Sequence, residues 1–174
     1  MTADRAERGP APVTLQLVLL SLGTFIVGTN GFIIAGLLPD IAESLAVTPS
    51  GVGISITVYA AVVAALAPTF ATVLARVPRT RLIAAGLAAT AIGTALTALA
   101  ADLPLFILGR AVAGIGGAAI VPTAVAAAPV MGPVTRRGWA IAVVMIGVTF
   151  ATALGSPIGP AIAHVGGGQV PLAR

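Results

Sequence analysis

The sequence predicts an all-α, polytopic membrane protein with about five transmembrane helices. Of its 174 residues, 58% are apolar and only 8% are charged, whereas soluble domains carry about 25% charged residues. The apolar residues fall into long stretches separated by short loops, and each stretch approaches the length of about 20 residues that crosses a bilayer. Cysteine is absent, which excludes disulfides and thiol-ligated metals.

The predicted bundle occupies residues 14–163. Residues 1–13 form a polar arm that we predict to be disordered, and residues 164–174 form an irregular tail too polar to cross a membrane. The first apolar stretch is longer than the core of about 7–15 residues in a signal peptide, which favours a retained helix. A short helical turn is expected at residues 41–45, and the alanine-rich third span looks nearly featureless. The spans are predicted at residues 15–38, 51–74, 82–99, 103–128 and 139–163.

Arginines in the loops predict the orientation of the bundle. All nine basic residues are arginines. With a cytoplasmic N-terminus, only Arg174 would lie outside, and the outer loops would carry Asp40, Glu43 and Asp102. This asymmetry follows the positive-inside rule. The arginines are scattered over short loops and do not form one patch, which argues against a nucleic-acid partner. The loop and arm arginines placed inside are Arg5, Arg8, Arg76, Arg79, Arg81, Arg136 and Arg137.

Arg110 stands inside the fourth predicted span. A guanidinium stays protonated inside a protein, and a charge at the bilayer centre costs at least ~2.5–3.5 kcal/mol on insertion scales. Gly114 and Gly117 share its helical face, where they allow a neighbouring helix to approach closely. Two interpretations stay open. Arg110 either ties two helices together or lines a transport path, which intramembrane charges commonly mark.

Asn30, Tyr59 and Arg110 are predicted to lie at one depth in the membrane. They are 8, 8 and 7 residues from the predicted outer ends of their spans, which is about 10–12 Å at 1.5 Å per residue. An amide, a phenol and a guanidinium at one level would hydrogen-bond a substrate or one another. These three residues are the candidates for a substrate or proton path. The sequence predicts no metal site, because the single histidine, His164, cannot form one alone. It also predicts no cofactor.

Small residues recur at every fourth position of the fifth span. Gly147, Ala151, Gly155 and Gly159 lie on one helical face, with Pro157 between the last two. Small residues at this spacing form a groove for another helix, and proline bends a helix by removing a backbone hydrogen bond. The face indicates either ordinary close packing or a bent helix that lets two bundles rock.

Three stretches resemble motifs of the major facilitator superfamily (MFS). Residues 147–159 resemble the antiporter motif of the fifth helix in its exporters. Leu108-Gly109-Arg110 and the glycines that follow resemble the arginine motif of the fourth helix. Residues 28–32 and 36–42 resemble the first-helix signature of the 12-helix drug:proton antiporter branch, which includes chloramphenicol-efflux and sugar-efflux permeases. The resemblance runs from about residue 15 to residue 163.

The resemblance implies a function in transport. Such a protein would export small organic compounds or drugs in exchange for protons, by alternating access in the bacterial inner membrane, and would confer drug resistance. It would not be an enzyme; its partners would be the lipid bilayer, a small-molecule substrate and protons. In that scheme Arg110 binds substrate or influences the proton site, and the fifth helix is the bending interface.

The sequence also departs from the family pattern. The loop after the second helix usually reads Gly-x-x-x-Asp-Arg-x-Gly, of which only a basic half survives here, at residues 75–79. Several relatives carry an acidic residue in the first helix, where this chain has Asn30 and Gly31. No predicted span contains a carboxylate, so the proton-carrying residue is not identified.

Five spans correspond to an incomplete N-terminal half of a 12-helix transporter. We therefore expect the chain alone to be poorly stable and to transport nothing, unless it forms a homodimer or meets a separate C-terminal half. The small-residue face from Gly147 to Gly159 is expected to lack much of its cover. A non-transporting, truncated or structural membrane protein is the alternative, which coding DNA beyond Arg174 would help to distinguish.

Overall fold

The computed structural model describes the backbone of residues 13–72, 77–131 and 133–165, and the side chains as far as Gly155. The described part of the chain is helical and contains no strand. Five helices in it are long and apolar enough to cross a membrane. The prediction of an all-α, polytopic fold with about five transmembrane helices is therefore confirmed.

The helices follow one another with short connections. In chain order they are α1 (Val13–Gly36), α2 (Leu38–Ser44), α3 (Pro49–Thr72), α4 (Arg79–Ala98), α5 (Leu103–Ala127) and α6 (Arg137–Val165). The short α2 occupies the position of the predicted helical turn and begins before it. Two 3-10 turns, Ala128–Val130 and Val134–Arg136, connect α5 to α6. The predicted arm and most of the predicted tail, residues 1–12 and 166–174, lie outside the described residues.

Local backbone and side-chain geometry shows how α5 begins and how α2 ends. Asp102 precedes α5, and its side chain accepts a hydrogen bond of 2.8 Å from the backbone N–H of Leu105, as an N-cap residue does. At the end of α2, Ala46 adopts a left-handed conformation with φ of 52°. This turn lets the N–H of Val47 donate to the carbonyl of Ala42, which closes the helix.

Helices α1 and α6 pack so closely that backbone meets backbone. A Cβ added to Gly147 would overlap the carbonyl of Ser21 and the hydroxyl of Thr24. The Thr24 hydroxyl also lies 2.9 Å from the carbonyl oxygen of Val144, to which it donates across the interface. Because lipid is as apolar as leucine, such close approach and interhelical hydrogen bonds hold membrane helices together.

The same face of α6 continues along α1. A Cβ on Gly28 would lie 2.6 Å from the Cβ of Ala151, and a Cβ on Gly155 would lie 3.0 Å from that of Phe32. The expectation that the small-residue face lacks cover is wrong from Gly147 to Gly155, because α1 covers it. The spacing predicted a groove correctly; it did not reveal that the helix filling the groove belongs to the same chain.

Helices α4 and α5 form a second close pair, which runs antiparallel. A Cβ on Gly109 would lie 2.5 Å from the hydroxyl of Thr97, and one on Gly93 would overlap the backbone of Ala113. A Cβ on Gly116 would overlap Thr90. Glycine on both helices thus brings the two backbones together, as small residues do in membranes.

The contacts fix the direction of each helix. Helix α1 runs parallel to α6 and antiparallel to α5, since residues 21, 28 and 32 face 147, 151 and 155, while Asn30 faces Arg110. Helix α3 runs parallel to α5, since Gly51 lies against Leu103. Helices α1, α4 and α6 therefore start at one end of the bundle. That end carries Arg79, Arg81, Arg136 and Arg137, and the opposite end carries Asp40, Glu43 and Asp102. The membrane orientation itself stays a prediction.

Candidate functional site

Arg110 is buried in the middle of the bundle, with only 2% of its surface exposed. The two glycines on its face admit α3. A Cβ on Gly114 would lie 3.1 Å from the backbone oxygen of Tyr59, and one on Gly117 would lie 2.8 Å from the Tyr59 hydroxyl. These glycines therefore bring a phenol-bearing helix against the arginine-bearing helix, as their position on the face of Arg110 indicated.

The guanidinium of Arg110 is bonded to Asn30 on α1. Its Nη1 donates to the backbone oxygen of Asn30 at 2.9 Å and to the side-chain Oδ1 at 2.8 Å. The Nδ2 of Asn30 donates in turn to the hydroxyl of Thr94 on α4. Hydrogen bonds to a charged group are stronger than those between neutral groups. One polar chain thus connects α5, α1 and α4.

Tyr59 of α3 joins Arg110, Asn30 and Thr94 to complete a polar cluster. The central carbon of the Arg110 guanidinium lies 4.4 Å from the centroid of the Tyr59 ring, which is cation–π geometry. The Tyr59 hydroxyl donates to the backbone oxygen of Val27 over 3.3 Å, a long hydrogen bond. The structure thus brings the three predicted polar residues together, and in this conformation they bind one another.

Part of the guanidinium has no partner. The Nε and Nη2 atoms of Arg110 are buried and have no hydrogen-bond partner among the described residues. The carboxylates of the described part of the chain, Asp40, Glu43 and Asp102, all lie outside the spanning helices. A buried charge without a counter-charge is costly. The cluster therefore partners Nη1 of the guanidinium, and no carboxylate of a spanning helix supplies a counter-charge.

A cavity of about 380 Å³ lies beside the cluster. It is mostly apolar and is lined by residues of α1, α3, α5 and α6. Tyr59 lines this cavity and also contacts Arg110, whereas Arg110 itself does not line it. Its lining includes Val27, Gly31, Phe32, Tyr59, Gly117 and Val148.

Thr94 is the residue of this cluster that sequence reasoning missed. The prediction of a nearly featureless third span was wrong, because Thr90, Thr94 and Thr97 share one face of α4 and meet α1 and α5. Their spacing of four and three residues was the available signal. Each hydroxyl also donates to the carbonyl four residues earlier, a local bond that hides its wider role.

Among the described residues, the hydrogen bonds and the ring contact of Arg110 involve none of the other predicted site residues. Gly147, Ala151 and Gly155 pack against α1; Pro157 and Gly159 lie in α6, where only the backbone is described. Arg79 and Arg81 are exposed in the first turn of α4, while Arg76 lies outside the described residues. Within the described residues, no group of three or more His, Cys, Asp or Glu side chains lies close enough to hold a metal.

Five helices that are long and apolar enough to cross a membrane, packed around a buried arginine, define a multi-pass membrane protein. The family described as the Major Facilitator Superfamily matches residues 20–173. The chain belongs to this superfamily, and the resemblance found in its motifs is confirmed.

Several curated bacterial proteins are similar to the chain. The uncharacterized MFS-type transporters YwfA and YbcL of Bacillus subtilis are 33% and 31% identical over 88% and 86% of the chain. A chloramphenicol resistance protein of Streptomyces lividans is 32% identical over 83% of it. The aligned regions cover 37%, 38% and 37% of these three relatives, in that order. The chain thus matches well under half the length of each.

Proposed function

We propose that this chain forms part of a bacterial inner-membrane efflux permease that exports small organic compounds or drugs in exchange for protons. The buried Arg110 cluster carries the proposal. A permanent charge sits in a spanning helix, held by Asn30 and Tyr59, and part of its guanidinium is unpartnered. Intramembrane charges of this kind mark substrate and ion paths.

Two observations favour drug export within the superfamily. One relative, from Streptomyces lividans, is a chloramphenicol resistance protein. Residues 28–32 and 36–42 resemble the first-helix signature of drug:proton antiporters. The proton as coupling ion rests on this resemblance and on Arg110, which would act on the proton site through its charge.

The proposal gives the cluster a role in alternating access. Asn30, Tyr59 and Arg110 come from three helices, so rearranging their bonds would accompany movement of α1 and α3 against α5. Transport of this type requires bundles that rock about a central site. The α6 face from Gly147 to Gly155 would serve as the bending interface. The N-terminus would be cytoplasmic, which places the arginine-rich end of the bundle inside.

Proton-coupled export is measurable in everted membrane vesicles. The vesicles come from an efflux-deficient bacterial strain that expresses the reading frame containing this chain. Respiration acidifies their lumen and quenches a pH-sensitive dye, and an exported substrate releases protons and restores fluorescence. With a panel that includes chloramphenicol, we expect recovery for at least one compound. Arg110→Ala should abolish the recovery at unchanged protein level, and Arg110→Lys should retain about a tenth of it or less, because lysine lacks the planar fork.

Arg136→Ala is the matched control, because Arg136 is an exposed arginine in the turn before α6; it should transport like the parent protein. If Arg110→Ala transports normally, the assignment of Arg110 to the path is wrong. Loss of folded protein in Arg110→Ala, with full transport by Arg110→Lys, identifies a structural tie. If the protein is well inserted and none of the compounds restores fluorescence, the result supports the non-transporting alternative.

A further inference from the structure

The unpartnered edge of Arg110 has the shape of a carboxylate site. Nε and Nη2 lie on the same side of a guanidinium, and each carries an N–H directed outward in the plane. This pair of donors matches the two oxygens of a carboxylate. In Arg110 both atoms are buried without a partner, while Nη1 is bonded to Asn30. The donors left over are therefore the two that can bind one carboxylate together.

Charge makes an anion the best occupant of this edge. The guanidinium is permanently cationic, and the spanning helices contain no carboxylate. A neutral acceptor would supply hydrogen bonds, but only an anion would also supply the missing counter-charge. In a water-poor interior, this Coulomb attraction is much larger than in bulk water.

The neighbouring cavity suits the rest of such a ligand. Its volume of about 380 Å³ falls within the range of roughly 300–1,000 Å³ found for small-molecule sites. Its lining is apolar apart from the Tyr59 phenol, with Phe32 and Val148 among the lining residues. An apolar or aromatic body of one or two rings would be buried there.

Tyr59 stands between the cavity and the arginine. Its ring contacts the guanidinium and also lines the cavity, while Arg110 does not reach the cavity surface. Apart from its contact with the guanidinium, the ring is held by one long hydrogen bond, of 3.3 Å, to the Val27 oxygen. Gly31 and Gly117 lie directly against it, so the phenol has no bulky neighbour at these two positions.

We propose that the site takes a lipophilic organic anion, whose carboxylate binds the Nε and Nη2 edge of Arg110 and whose apolar body fills the cavity, once the Tyr59 ring swings aside. This inference rests on the proposed transport function in one respect: the bound anion would be a transported substrate only if the protein transports. The binding itself is a property of the described site and is measurable without transport.

The test compares three ligands of nearly equal shape on the purified, detergent-solubilised chain. 2-Naphthoate is the anion, 2-naphthamide is the neutral counterpart, and 2-naphthylmethylammonium is the cation. Calorimetric titration should give naphthoate an affinity at least tenfold above that of naphthamide, which is about 1.4 kcal/mol, with the cation weakest. Equal affinities for anion and amide would overturn the proposal without using any variant.

Variants then show which residue is responsible for the preference for naphthoate over naphthamide. Arg110→Gln should bind naphthoate and naphthamide equally, and Arg136→Gln, at an exposed arginine, should behave like the parent chain. Tyr59→Ala should speed naphthoate association at least tenfold in stopped-flow fluorescence and keep the preference for the anion. Gly53→Ala, whose added Cβ would meet nothing within 4 Å, is the control on α3. Retained discrimination in Arg110→Gln, or slower association in Tyr59→Ala, contradicts the inference.

The outcome is separable from that of the transport experiment. Selective binding of naphthoate by a chain that exports nothing would refute the efflux function and leave the anion site intact. Export of neutral or cationic compounds, with no preference for naphthoate in the titration, would support efflux and refute the anion site.

Discussion

Nη1 of Arg110 lies 2.9 Å from the backbone oxygen of Asn30 and 2.8 Å from its side-chain oxygen. One nitrogen on α5 therefore holds both the backbone and the side chain of α1. The backbone bond does not depend on residue type at position 30, whereas the side-chain bond does. Substitutions of Asn30 thus change one bond of the pair and keep the other.

Asn30→Asp should raise the thermal stability of the chain. The substitution places a carboxylate oxygen where Oδ1 now lies, within hydrogen-bond distance of Nη1, and supplies the counter-charge that the spanning helices lack. A hydrogen bond to a charged group contributes about 1.5–3 kcal/mol; the carboxylate adds an ion pair to this bond, although the Nδ2 donor to Thr94 is lost. Asn30→Ala removes both side-chain bonds and should lower the midpoint of thermal unfolding. Thermal unfolding in detergent measures both, and an aspartate variant less stable than the alanine variant would contradict the electrostatic account. Asn30→Asp should also weaken naphthoate binding, because the new carboxylate competes for the guanidinium.

Gly147→Ala should destabilise the α1–α6 contact. Its Cβ would overlap the Ser21 carbonyl and the Thr24 hydroxyl, so the helices must move apart. Overpacking of this kind costs about 1–3 kcal/mol. Gly138→Ala on the same helix is the control, because its Cβ would meet nothing within 4 Å. We expect a lower midpoint of thermal unfolding in detergent only for Gly147→Ala; equal midpoints for the two variants would argue against the close contact.

Ala46→Gly should stabilise the turn after α2. Ala46 has φ of 52°, and a left-handed conformation costs a residue with a Cβ roughly 1–2 kcal/mol. Glycine removes this strain but adds freedom to the unfolded chain, so a net gain of about 0.5–1 kcal/mol is expected. Ala101→Gly, at an exposed residue with no positive φ, should bring no gain. Chemical denaturation in detergent measures the pair, and a destabilised Ala46→Gly would refute the strain argument.

The orientation is testable by cysteine labelling, because the chain contains no native cysteine. Ala101→Cys places a thiol beside Asp102 without removing that N-cap, and Thr80→Cys places one beside Arg79 and Arg81. Both positions are exposed. With a cytoplasmic N-terminus, an impermeant thiol reagent should label only position 101 in intact cells and both positions after permeabilisation. Labelling of position 80 alone in intact cells would reverse the topology.

Depth along each helix was predictable from the sequence because it follows from counting residues. Asn30, Tyr59 and Arg110 were expected at one level, and the structure joins them through direct contacts. The rise of 1.5 Å per residue makes such counts reliable within a turn. What counting cannot give is which edge of a side chain is left free, as Nε and Nη2 of Arg110 are.

Which helices pack together was less predictable, because the spacing of small residues indicates a groove but not which helix packs into it. The spacing of Gly147, Ala151 and Gly155 indicated a close contact, yet α1 as its partner follows from three-dimensional packing alone. Thr94 shows a second limit. Its hydroxyl satisfies itself on its own helix, so nothing in the sequence of α4 required a partner on α1.

The contact between α1 and α6 also constrains how this sequence can drift over generations. At Gly147 any side chain would strike the Ser21 carbonyl, whereas Phe150, one turn further along, is 55% exposed on the outside of the bundle. Where such an exposed apolar residue faces lipid, other apolar residues can replace it, because the surrounding tails are equally apolar. Purifying selection should therefore act strongly on the smallest residue of this turn and weakly on its largest. Among descendants of this gene, we therefore expect Phe150 to be replaced by other apolar residues and Gly147 to remain glycine.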